Sequence, residues 1–244
     1  MTRGIAQSVG AGITAVWASV LMLAAPAQAS EIPDLSICDG FPVHSESEDV
    51  TAQREQPLVL PADWTGIAAV SPYWIAVSTE YHTTYCVSTQ WMLDADNFER
   101  FDKRFLGFHW EGPDAFGYIL IDRSGQGYAI DTSVRPHFTP EGTMFAVLNR
   151  TDTGMEEFDG FAIWSIHGGA LRPYLVNFGP PLSPMIDWRI EDWEGENCLH
   201  ISAVPYEQIV GNWEQLPNAP RSSYIAHPGN QWQIAEGKTC PTID

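Results

Sequence analysis

The chain has 244 residues, with 31 Asp and Glu against 12 Lys and Arg, a formal net charge of -19. A surface of that sign repels phosphate backbones and anionic lipid headgroups, which argues against nucleic-acid and membrane-surface partners. The length suits one sizeable core rather than an array of domains.

Residues 1–29 are expected to be a secretory signal peptide. Arg3 is the only early charge, an apolar run follows from Ala11 to Ala25, and "APAQAS" ends in a small-x-small site with cleavage after Ala29. The apolar run is shorter than the roughly 20 residues that span a bilayer, and none of that length follows. An exported, soluble protein of the periplasm or the extracellular space is therefore expected, with no membrane insertion. Residues 30–56 contain the polar, aperiodic "HSESEDVTAQREQ" and read as an extended arm held by Cys38. Residues 57–244 read as a single all-β domain. Cys38, Cys86, Cys198 and Cys240 form an even set with no CxxC, which in an exported chain means two disulfides and no zinc ribbon. Four cysteines allow three pairings. Cys38 with Cys240 is favoured, because both sit in terminal segments and chain ends are often close, leaving Cys86 with Cys198.

Within the domain the grammar is of short strands and tight turns. "RPHFTPEGTMFAVLN", Arg135 to Asn149, reads as two strands joined by a turn in which Pro140 presets φ and Gly142 accepts positive φ. "HWEGPDAFGYILID" from His109 and "DWEGENCLHISAV" from Asp192 carry a Trp-Glu-Gly turn followed by an apolar run. Trp91-Met92-Leu93, Trp164-Ser165-Ile166 and Trp232-Gln233-Ile234 read as strand segments placing a Trp and an aliphatic residue on one side. "DADNFERFDKRF" also fits an amphipathic helix, with Phe98, Phe101 and Phe105 at i, i+3, i+7, but its place in the series favours a hairpin.

The unit of strand, acidic-Gly turn, strand, loop, Trp-x-aliphatic strand, turn and strand takes roughly 40 to 50 residues, the length of a four-stranded blade. "RPHFTPEGTMFAVLN" resembles the Ser-Pro-Asp-Gly repeat of TolB-type and WD-repeat-like β-propellers, with Thr139 and Glu141 in place of the usual Ser and Asp. The resemblance implies a small propeller-like domain of four to five irregular blades; an irregular β-sandwich is the alternative.

No nucleophile elbow, metalloprotease helix or Walker loop is present. "SIHGG", Ser165 to Gly169, reads as a hairpin turn. "DADNFE", Asp94 to Glu99, begins like a calcium loop, then places Phe98 at a ligand position and lacks the required Gly. His109 and His137 are candidate acid-base or ligand groups, with a structural role the plainer reading. Asn149 heads a glycosylation sequon. The candidate ligand-binding residues are Trp110, Glu111, Glu141, Trp193 and Glu194. In a propeller the first-to-second strand hairpins of all blades point to one face, so the three glutamates are expected to share it, with Trp110 and Trp193 beside two of them, a surface able to hold a sugar, a cation or a basic segment. The expected function is that of an exported, non-enzymatic interaction protein with a protein or glycan partner and no cofactor or metal. The rival is a glycan hydrolase using paired carboxylates.

Overall fold

The computed structural model describes residues 32–42, 50–149, 158, 160–167, 170–175, 185–229 and 231–241. The expected signal peptide, residues 43–49 of the arm, Gly168 and Gly169 of "SIHGG" and the last two residues of the sequon lie outside the described residues.

The fold is all-β and built from four antiparallel sheets whose strands pair in chain order, without crossovers. The first holds β1 (Ala68–Val70), β2 (Trp74–Ser78) and β3 (Thr84–Ser88). The second holds β4 (Asp94–Arg100), β5 (Phe105–Glu111), β6 (Phe116–Asp122) and β7 (Tyr128–Asp131). The third holds β8 (His137–Phe138), β9 (Met144–Asn149), β10 (Gly160–His167) and β11 (Ala170–Leu175). The fourth holds β12 (Met185–Glu194), β13 (Cys198–Pro205), β14 (Ser222–Pro228) and β15 (Trp232–Glu236). Among the described residues no helix is long and apolar enough to cross a membrane.

Side-chain alternation places these sheets in series. In β2, Ile75 and Val77 meet Leu106, Phe108, Ile119 and Ile121 of the second sheet. Phe105 and Leu120, on the second sheet's other face, meet Phe145, Val147, Ala162 and Trp164 of the third. The third sheet turns Ala146, Leu148, Phe161 and Ile163 to Trp188, Leu199, Ile201 and Tyr224 of the fourth. The middle sheets are thus covered on both faces. This is why "GYILI" and "FAIWS" read as continuous apolar runs instead of alternating ones. Phe145 shows the fit: fully buried, its ring stacks on Trp164 at 5.0 Å and 11°.

The two end sheets are stapled on their outer faces. On the first, the one-turn helix α1 (Leu35–Cys38), capped by the Asp34 carboxylate on the Ser36 N–H, carries Cys38 to Cys86 of β3. There Cys38 is buried with Trp74 and Ala76. On the fourth, Cys198 of β13 joins Cys240 beyond β15. The arm is indeed held by Cys38, but the favoured pairing of Cys38 with Cys240 and Cys86 with Cys198 is not the one formed. The physical reason is the serial order: Cys86 and Cys198 belong to sheets at opposite ends, so each bridge closes within its own end of the fold.

The hairpin of "RPHFTPEGTMFAVLN" is as expected. His137 and Phe138 pair with Ala146 and Phe145, and Gly142 takes φ +68 with open space where a side chain would begin. "DADNFERFDKRF" is also the expected hairpin, β4 to β5. Its helical spacing of phenylalanines comes from a bulge between Asp96 and Glu99 at Asn97, φ +49, which sends Phe98 to one core and Phe101 to the next. The Trp-x-aliphatic series is corrected. Trp164 sits on the third strand of its sheet and Trp232 on the fourth of its own, while Trp91 to Leu93 precede β4 outside any strand. The matching spacing therefore marked large rings packed against a core, Trp164 buried and Trp91 and Trp232 partly so, and not equivalent strands. His167 and Ala170 pair across the "SIHGG" turn. Asn149, 8% exposed, donates its side-chain amide to the Phe158 carbonyl at 2.9 Å, so the sequon asparagine is occupied within the fold.

Candidate functional site: an acidic cleft on the second sheet

Residues two apart along a strand share a face of the sheet. In the β4–β5 ladder Asp94 stands opposite Glu111 and Asp96 opposite His109, so four polar side chains gather on one side. Ala95 and Trp110, between them, turn into the core. The four line a cavity of 230 Å³ that Asn97 and the half-exposed Phe116 complete. A neighbouring hollow of 470 Å³ shares Asp94 and Glu111 and adds Glu55, Gln53 and Gln56 from the arm. The Asp94 and Glu111 carboxylates therefore border both spaces.

The backbone here is fixed by short contacts. Leu93 N–H donates to the Glu111 carbonyl at 2.6 Å, Gly112 N–H to Ala115 O at 2.7 Å, and Ala95 N–H to Asp94 Oδ1 at 2.8 Å. Asn97 Nδ2 donates to Asp96 Oδ1 at 3.1 Å. Like charges directly opposite in an antiparallel pair destabilise the sheet. Among the described residues no Lys or Arg forms an ion pair with Asp94, Asp96 or Glu111; the arginines pair instead with Asp122, Glu99 and Asp187.

His109 lies edge-on to Tyr118 at 4.9 Å. Burial, and then the neighbouring Glu99 carboxylate, push the Tyr118 phenol far above its ordinary value. It remains a donor, its hydroxyl hydrogen-bonding to Glu99 Oε2 at 3.2 Å while Arg135 Nε donates to the same oxygen at 2.6 Å. Tyr118 crosses the sheet where Gly107 leaves room: a Cβ on Gly107 would sit 2.4 Å from the phenol oxygen.

Of the predicted site residues, Glu111 borders the cleft with its carboxylate exposed. Trp110 lines it but is not a stacking platform. It is 7% exposed, edge-on to Trp91 at 4.2 Å, and its Nε1 donates to Asp131 Oδ2 at 2.9 Å. Glu141, Trp193 and Glu194 belong to another place, where the third and fourth sheets meet. Glu141 sits in the β8–β9 turn and Glu194 ends β12, so both close first-to-second strand hairpins. Glu111 ends the second strand of its sheet. Successive turns of a meander alternate ends, so the expectation that all three share a face fails. The counterpart turn in the second sheet is Phe101 to Arg104, where Phe101 meets Phe138 at 4.7 Å.

At that second place the rings are again structural. Trp193 is half-buried, edge-on to Trp232 at 5.9 Å, and donates Nε1 to the His137 carbonyl at 2.9 Å. The turn is tied by Glu196, which accepts the Glu141 N–H at 2.8 Å and the Thr143 hydroxyl. Partial burial raises the Glu196 carboxyl, yet the hydrogen bonds from Thr143, Thr139 and the backbone outweigh it and hold the group below its ordinary value. Burial, then the nearby Arg135, hold the His137 imidazole below its ordinary value.

The residues overlooked as a set are Asp94, Asp96 and His109, together with Glu196. The signal was present as D-x-D followed by H-x-E: two same-face polar pairs on consecutive strands, hidden by reading the first as a failed calcium loop and the second as a turn. No protein family, curated protein or solved structure matches this chain.

Proposed function

We propose that the chain is an exported, non-enzymatic binding protein of propeller-like architecture that holds a basic protein segment in the acidic cleft. The observation that carries this reading is the facing pair Asp94 and Glu111, exposed and without an intramolecular cation among the described residues, at the mouth of two adjoining hollows. A lysine or arginine head between them would relieve the repulsion the pair suffers in the free protein. The net charge of -19 would speed the encounter. Export is supported by the two disulfides, which fit an oxidising compartment. The propeller reading is supported by four meanders laid face to face in chain order. A glycan hydrolase would need one carboxyl kept protonated by burial, as glycosidase acids are. Asp94 and Glu111 are both exposed, which favours binding.

The test is titration of a fluorescent Lys- and Arg-rich peptide at low salt. Asp94→Asn with Glu111→Gln should weaken binding about 10-fold, corresponding to roughly 1.4 kcal/mol, and raised salt should weaken the native protein similarly. Glu141→Gln, at the other place, should leave binding unchanged. Equal affinity for the native protein and the double variant would overturn the assignment.

A further inference from the structure

The fourth sheet brings a second constellation together, independent of the acidic cleft. Cys198 and His200 are alternate residues of β13 and so lie on one face, and Glu194 pairs with Cys198 across the ladder. Cys240 returns from beyond β15 to the same spot. The ligand atoms of Cys198, His200 and Cys240 all lie within 4.8 Å of one another. His200 Nε2 is 3.5 Å from Cys240 Sγ and 3.0 Å from Glu194 Oε2.

Those spacings suit a tetrahedral metal. With Zn–S of about 2.3 Å and Zn–N of about 2.0–2.1 Å, a sulfur and a nitrogen on one zinc stand about 3.6 Å apart. The Cys240–His200 separation already has that value. Two thiolate sulfurs on one zinc would stand about 3.8 Å apart. In the oxidised protein the two sulfurs are bonded directly to each other, on Cα atoms 6.0 Å apart. Breaking the bond and rotating the two side chains would open the space between them, with Glu194 as the fourth ligand. The other disulfide offers no such set, because Cys38 is fully buried among Leu35, Tyr73, Trp74 and Ala76.

We infer that Cys198, Cys240, His200 and Glu194 form a redox-gated site for a zinc-like divalent cation, closed while the disulfide stands and opened by a dithiol reductant. The dithiol gives two electrons and two protons: the Cys198–Cys240 bond breaks, two thiols form, and the dithiol leaves as its own disulfide. The metal then displaces both thiol protons and forms two metal–sulfur bonds. His200 offers the Nε2 lone pair in the tautomer with its proton on Nδ1, and the metal stands between Nε2 and the Glu194 carboxylate, now 3.0 Å apart. Cys240 is partly exposed, which gives reductant and metal an approach. The metal would then replace the staple that the disulfide supplies to the end sheet.

The experiment uses the full folded protein, reduced, freed of reductant without oxygen, and titrated with Co²⁺ as the spectroscopic probe. One Co²⁺ per chain should bind with a thiolate-to-cobalt charge-transfer band and the visible bands of tetrahedral cobalt, and Zn²⁺ should displace it. The oxidised protein should show neither band. His200→Ala should weaken cobalt binding at least 10-fold, and Cys198→Ser with Cys240→Ser should abolish the charge-transfer band. Cys38→Ser with Cys86→Ser should keep it. Circular dichroism runs in parallel: if reduction loosens the fold, Zn²⁺ should restore it. A reduced protein that gives no thiolate band, that keeps it without Cys198 and Cys240, that binds as tightly without His200, or that Zn²⁺ fails to restore overturns the inference.

Discussion

Replacing Cys198 and Cys240 with Ala should cost about 4 kcal/mol, and replacing Cys38 and Cys86 should cost about the same. The two bridges close 42 and 48 residues. In the chain-entropy expression each loop removes about 13 cal/mol/K from the unfolded chain, or roughly 4 kcal/mol at 25 °C. Near-equal lengths make the entropic contributions equal, so a difference between the pairs would report the native side alone. The consequences should be local. Among the described residues each end sheet packs its core face on one neighbouring sheet, and in a serial array stability is close to a sum of unit and nearest-neighbour contributions. Loss of Cys198–Cys240 should therefore speed amide exchange in β12 to β15 before it touches β5 and β6, and loss of Cys38–Cys86 should loosen β2 and β3 first. Urea denaturation with chelator present measures the totals, and hydrogen exchange by mass spectrometry locates them. Peptide mapping of the unreduced protein checks the connectivity. A Cys38 peptide linked to Cys240, or a loss below about 1 kcal/mol for either pair, would refute the reasoning.

Three further outcomes follow from the packing. Phe145→Ala removes a fully buried ring stacked on Trp164 and should cost about 3–5 kcal/mol in urea denaturation, because the space lies between two covered sheets that cannot collapse freely. Gly142→Val meets no atom but must hold φ +68, so it should cost about 1–3 kcal/mol; a neutral result would show that the turn relaxes to another conformation. Glu196, whose folded carboxyl is held below the ordinary value of 4.5, contributes stability that is present above that pH and lost as pH falls through the folded value. Glu196→Gln should flatten that part of the acid limb in pH-dependent thermal melts, and an unchanged limb would remove the Thr143 and Glu141 contacts from the account.

Local chemistry in the sequence was enough to determine the β class and the hairpins. Pro140 and Gly142 dictate a tight turn whatever surrounds it, and the β-rich runs "GYILI" and "MFAVLN" have no helical period, so all-β class and the hairpins were legible. Glu111 was legible as exposed because it precedes a Gly-containing turn. The partners of these elements were not legible. A continuous apolar run says that both faces are covered but not by which sheets, so the serial order, and with it the local disulfides, came only from tertiary packing. Trp110 and Trp193 stand beside Glu-Gly turns in the sequence, yet the bulk of a Trp ring draws it into whichever core lies beneath. Meander parity, set by which turn of its sheet each glutamate occupies, separated Glu111 from Glu141 and Glu194. The cleft itself exists because the β4–β5 register sets Asp94 against Glu111 and Asp96 against His109. A one-residue slip of β4 would have turned Asp94 and Asp96 to the opposite face from Glu111 and His109, and register is decided by the cores on either side, not by any residue in the cleft.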